Sequence, residues 1–77
     1  MANIKEYYRA IEMTQGGRGV KILGGYTAIE GALECAKEHL SFDRELRRKN
    51  HIVCVFFYGP EKDYKPELKQ VLTKDNI

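Results

Sequence analysis

The run Ile52-Val53-Cys54-Val55-Phe56-Phe57-Tyr58 constrains this chain more than any other stretch. Every position is apolar or aromatic, so the run has no wet side. A half-buried strand alternates apolar and polar residues. An unbroken apolar run of this length instead suits a central strand covered on both faces. Gly59-Pro60 ends it. The fold must therefore supply cover above and below the strand.

Little chain is available to do so. The 77 residues read as one domain, 1–77, with one modest core. Hydrophobic residues make up 43% and charged residues 31%, too apolar a balance for disorder. Ordering costs about 1.5 kcal/mol per residue, and burial roughly cancels that sum at this size. Domains this small often rely on a staple or a partner. A disulfide staple is not expected. The segment MANIKEYYRAIEM has no apolar core of a signal peptide, which predicts a cytoplasmic, reducing setting with Cys35 and Cys54 free and buried. No apolar run approaches the ~18 residues of a membrane span. A net charge of +2 points to no particular partner.

The first strand reads Glu6 to Met13, rich in strand formers. The glycines of Thr14 to Gly19 supply a turn, Val20 to Leu23 returns as the second arm of a hairpin, and Gly24-Gly25 ends it. The clearest signal follows. Thr27 and Glu30 form a T-x-x-E capping box, and Ile29, Ala32, Leu33, Ala36 and Leu40 share one helical face. This predicts a helix from Ala28 to about His39. Continued straight to Lys49, it would carry Phe42 and Leu46 opposite that stripe. A break near Ser41, which can cap a second short helix, Phe42 to Lys49, avoids this; the alternative is one long helix whose second apolar face meets a partner. Acids lead that segment and bases close it, as the helix dipole favours. Pro66 suits a first helical position, and Leu68, Val71 and Leu72 share a helical face, predicting a short helix at about 66–74.

The expected fold is α+β: a three-stranded, mainly antiparallel sheet in ββαβ order, one main helix on one face, and short helices at about 42–49 and 66–74. The last strand is expected to pair with the first, antiparallel, with a parallel pairing to the second strand as the alternative. The run Tyr26 to His39, Y-T-A-I-E-G-A-L-E-C-A-K-E-H, resembles the helix of arm-type DNA-binding domains of integrases. Those domains place three strands before the helix; two precede it here, and no residue role is carried over.

Chemical motifs are sparse. Cys35 and His39 sit four apart on one helix, and His51 and Cys54 are the other candidate ligands, but zinc wants four closely placed donors. No G-x-S-x-G elbow is present, and Cys54 lies in an apolar strand that disfavours a thiolate. A Cys35/His39 dyad is the remaining nucleophilic arrangement. Gly24-Gly25-Tyr26-Thr27 opens the main helix, where free amides favour an anion, yet no G-K-[ST] or G-x-G-x-x-G follows. The expectation is a non-enzymatic protein without metal or cofactor.

A binding role is the reading that remains. The main helix can cover one face of Ile52–Tyr58, and leaving the other wet forgoes about 1.5–3 kcal/mol for each large side chain. The short segments at 42–49 and 66–74 are marginal as cover, so another protein or a second copy is expected. Phe42, Leu46, Val53, Val55 and Phe57 are the candidate partner-binding residues. Size and the lack of motifs also fit a phage or mobile-element inhibitor of a host system. The alternative is a nucleic-acid-binding domain using Arg18, Arg44, Arg47, Arg48 and Lys49.

Overall fold

The computed structural model describes residues 7–59 and 65–76. Its elements run β1 (Tyr8–Met13), β2 (Gly19–Tyr26), α1 (Ile29–Phe42), α2 (Arg44–Arg48), β3 (Ile52–Phe57) and β4 (Glu67–Leu72). The strands form one antiparallel sheet in the order β2-β1-β3-β4. The α+β class, the hairpin, the main helix and the antiparallel pairing of β1 with the apolar strand are as expected. The sheet, however, has four strands and not three. The first strand starts at Tyr8; Glu6 and Pro60 lie outside the described residues.

The fourth strand replaces the helix expected at 66–74. Leu68, Val71 and Leu72 do carry helical spacing, but an isolated helix of two turns is marginal in water. The central strand β3 needs hydrogen-bond partners on both edges. β1 takes one edge and Glu67–Leu72 takes the other. An irregularity opposite Val55/Phe56 leaves Lys69 as an extra residue, so Leu68 pairs with Phe56 and Val71 with Cys54. That bulge puts two residues three apart on one face of a strand, which is why the spacing imitates a helix. The segment therefore widens the sheet and does not cover it.

β2 also runs further than the glycine pair suggested, ending at Tyr26. Gly24 pairs with Ala10 inside the strand. A Cβ on Gly24 would stand 2.9 Å from the Tyr26 ring, and one on Gly31 of α1 only 2.8 Å from it. The two glycines make room for an aromatic ring between strand and helix. A bulge leaves Leu23 opposite the Ala10/Ile11 step, and Leu23 packs against the core. The hairpin turn closes through Thr14, whose Oγ1 accepts from Arg18 N–H at 3.0 Å, with Gly17 at φ 91°.

α1 starts at Ile29 with Ala28 at its N-cap and no side-chain cap. The expected capping box is absent because Thr27 stands one residue too early. The break after α1 is present, two residues beyond Ser41. Asp43 closes α1 through its backbone N–H to His39 O (2.9 Å) and caps α2 through Oδ1, which accepts from Leu46 N–H at 3.1 Å. α2 then ends in a Schellman motif: Asn50 takes φ 61°, Asn50 N–H donates to Arg47 O, and His51 N–H to Leu46 O. Asparagine is among the few residues that accept this left-handed position cheaply.

The core lies between α1 and one face of the sheet. Ala32, Cys35, Ala36 and Leu40 of α1 meet Ala10, Val53, Val55 and Leu72, with Leu46 of α2 closing one end. Both cysteines are free thiols and both are buried.

Candidate partner-binding surface

Side chains alternate along a strand, so the register alone sorts the sheet into two faces. On the helix side lie Tyr8, Ala10 and Glu12 of β1, paired with Phe57, Val55 and Val53. On the other side lie Arg9, Ile11 and Met13, paired with Phe56, Cys54 and Ile52. The outer strands add Ile22 beside Ile11 and Val71 and Leu68 beside Cys54 and Phe56. No described element covers this second face. Ile22 is 57% exposed, Leu68 50% and Val71 38%, while Ile11, Met13, Ile52 and Phe56 are half-buried. Its one charged strand residue is Arg9, which lies 4.7 Å over the Tyr58 ring.

This reverses the face singled out from the sequence. Val53 and Val55 are fully buried beneath α1 and Leu46 is sealed under α2, so none of the three is accessible to a partner. Phe57 is on the same helix side, 5.0 Å from the Tyr8 ring and under Lys69. The helix comes closest to this face where its residues are small. Alanines on α1 and Ala10 on the sheet allow a close approach, and the valines fill the layer between them. The bulkier Ile52 and Phe56 are left on the open side. Phe42 is 78% exposed, but it sits at the end of α1, where it lines a groove of about 320 Å³ with Glu38, His39 and Asp43. The five expected residues therefore do not form one surface.

Arg18, Arg44, Arg47, Arg48 and Lys49 are all exposed. Arg18 is in the hairpin turn and the others are in or next to α2. Glu45 tempers that cluster: it accepts from Arg48 at 2.6 Å and lies 3.6 Å from Lys49. The Arg48 hydrogen bond, and then its charge, hold the Glu45 carboxyl below its ordinary range. Gly24 and Gly25 are in β2, which removes them from any phosphate loop at the start of α1.

Cys35 and His39 lie one turn apart on α1. Cys35 is in the core, where its side chain, followed by burial, raises the pKa of Tyr26. His39 is 3.8 Å from Asp43. His51 donates through Nδ1 to Glu12 Oε2 at 2.6 Å, with only 14% and 8% of the two side chains exposed. Cys54 occupies the middle of the open face, and burial pushes its thiol pKa up. Among the described residues no three His, Cys, Asp or Glu converge to hold a metal ion, and no helix is long and apolar enough to cross a membrane.

The sequence reading missed Ile22, Leu68 and Val71. A signal existed for the last two: an all-apolar strand with one assigned neighbour leaves an unpaired edge. Nothing in spacing could have joined Glu12 to His51, 39 residues apart.

No protein-family model matches the chain, and no curated protein or solved structure is significantly similar to it.

Proposed function

We propose that this domain is a non-enzymatic protein-binding module whose contact surface is the open face of the sheet. One observation carries the reading: four strands present a continuous apolar face, interrupted by one arginine at its end, that α1 and α2 leave uncovered. Isolated exposed apolar residues are ordinary on protein surfaces, whereas a contiguous patch spanning a whole sheet marks an interaction site. An inhibitor that works by occupying a surface on a larger protein would use the same face. The basic residues around α2 are the second-best surface. Binding through them would weaken with salt, and Glu45 already engages two of the five.

The double substitution Ile22→Lys, Leu68→Lys tests the proposal. Both positions are at least half exposed, so the fold tolerates the change. Tagged wild-type chain is expected to associate with protein, itself or another identified by mass spectrometry, and the double variant to lose that association. Arg44→Ala with Arg47→Ala is expected to leave it unchanged. Association that survives the two lysines and is lost with the two alanines would overturn the proposal.

A further inference from the structure

We infer that the end of the molecule carrying the hairpin turn and α2 is a second binding surface, and that it takes single-stranded nucleic acid. Phosphates lie on Arg18, Lys21, Arg44 and Arg47, and a base stacks on Phe42. The inference concerns a different surface from the open face and does not rest on it.

The topology gathers these cations from separate parts of the chain. Met13 pairs with Gly19 of β2 on one side and with Ile52 of β3 on the other. Neighbouring strands lie about 4.8 Å apart, so the hairpin turn and the start of β3 are about 10 Å from each other. Arg18 precedes Gly19, and α2 leads into Ile52 through Lys49, Asn50 and His51. Lys21 pairs with Glu12, which puts it on the helix side of β2, and its charge is felt by Asp43 at the junction of α1 and α2. Leu46 turns into the core, while Arg44 and Arg47, neighbours one turn apart, are exposed. Glu45 takes up Arg48 and Lys49, but among the described residues no carboxylate pairs with Arg18, Arg44 or Arg47. Guanidinium groups of this kind match phosphate with paired N–H donors. The outer side of α1 has the opposite sign, with Glu30, Glu34 and Glu38 spaced four apart around Lys37, and steers a polyanion toward this end.

Phe42 separates nucleic acid from an acidic protein as the occupant. It is 78% exposed, stands two residues before Arg44, and lines the groove of about 320 Å³ with Glu38, His39 and Asp43. An exposed aromatic ring next to unpaired cations is the combination that holds single strands, with bases stacking on the ring and the backbone tracking the charge. The two carboxylates of the groove repel phosphate and can accept hydrogen bonds from base amino groups. The base therefore enters the groove while the backbone stays with the arginines. In a duplex the bases stack on one another and leave no free face for Phe42, which selects a single strand.

Fluorescence anisotropy of the full chain with labelled single strands of about 12 nucleotides, RNA and DNA, tests this at about 50–200 mM salt. Wild type is expected to bind with a dissociation constant of tens of micromolar at about 50 mM salt, and four phosphate contacts give a log–log salt slope of about −3. Arg44→Ala with Arg47→Ala is expected to weaken binding by about fiftyfold and to halve the slope. Arg18→Ala is expected to cost about eightfold, because the hairpin shares the site. Phe42→Ala is expected to cost about tenfold with the slope unchanged, and Phe42→Tyr to restore binding. Lys37→Ala with Lys65→Ala removes the same charge elsewhere and is expected to leave binding within about twofold. All these positions are exposed, so the variants keep the fold. Absence of binding at the lowest salt overturns the inference. Equal losses in the arginine pair and the lysine pair also overturn it, since net charge alone would then be acting. So does an Arg18→Ala or Phe42→Ala variant that binds like wild type. Tighter binding of a duplex, or of poly-glutamate, than of the single strand would assign this end to a different occupant and overturn it as well.

Discussion

The two faces of this sheet are both apolar, yet they are built differently. The covered face sets small residues, Ala10, Val53 and Val55, against Ala32 and Ala36 of the helix, all five fully buried, with the larger Tyr8 and Phe57 at one end. The open face carries Ile11, Met13, Ile22, Ile52, Phe56 and Leu68 around Cys54, with Gly19 and Gly25 on its outer strand. Small residues let helix and sheet close until no water remains, whereas large residues hold a surface broad and solvent-reaching. The difference shows that apolar character alone does not say which face a chain keeps for itself. Here the alanines and valines at the middle of the covered face let the helix backbone come close.

Substitutions that strip one face at a time separate the two roles most sharply. Leu40→Ala, on the covered side, is expected to cost about 3 kcal/mol, because it removes a fully buried side chain and leaves a cavity. Ile22→Ala, on the open side, is expected to change stability by less than about 0.5 kcal/mol in dilute solution. Urea unfolding at low micromolar protein measures both. Equal losses would mean that the open face is part of the monomer's own core.

The covered side holds one polar exception. Among the described residues Glu12 is the buried charged side chain of the core, held by His51 at 2.6 Å. Replacing His51 by alanine leaves the Glu12 carboxylate buried without that donor, at an expected cost of about 1–3 kcal/mol. The double variant Glu12→Gln, His51→Ala is expected to recover part of it. Failure to recover any would mean that His51 acts through packing at the end of α2.

Close approach on the covered side can be challenged from the helix. Alanine at Gly31 improves helix propensity by about 1 kcal/mol. Its Cβ would also meet Cδ1 of Tyr26 at 2.8 Å, Cγ at 3.0 Å and Cβ at 3.2 Å, near the root of the ring where rotation gives no relief. Strain is expected to win, with a net loss of about 1–2 kcal/mol read from thermal unfolding. A more stable Gly31→Ala variant would show that the helix and β2 have slack between them.

How much of this was legible beforehand follows from the range of the forces involved. The main helix, the hairpin and the apolar strand are set by local pattern, and all three were visible. The α1–α2 break was one of two readings, because Phe42 and Leu46 conflict with the stripe of α1 but a partner could also cover them, and the cap is Asp43 and not Ser41. β4 was hidden because a bulge at Lys69 gives a strand the spacing of a helix, and only the unpaired edge of β3 decides between them. The choice of face was hidden for a related reason. It depends on how nearly α1 can approach, which Ala32, Ala36 and Ala10 settle jointly from distant parts of the chain.

The smallest effect belongs to the junction that neither face owns. Asp43 joins α1 to α2, and its carboxyl is held below the ordinary aspartate range, chiefly by the Leu46 backbone N–H, with Lys21 and His39 adding to this. A carboxyl whose folded pKa is depressed stabilises the fold fully above its unfolded pKa, and that contribution is lost as pH falls through the folded value. Stability is therefore expected to decline from about pH 4 downward. Asp43→Asn keeps a capping oxygen but removes the charge, so it is expected to be slightly less stable than wild type at pH 7 and to converge with it in acid. Thermal unfolding at pH 7 and pH 3 reads the difference. A gap that persists unchanged at pH 3 would show that the junction depends on side-chain geometry and not on charge. Leu46 would then be held in the covered core by the turn alone, with no electrostatic help from the cap.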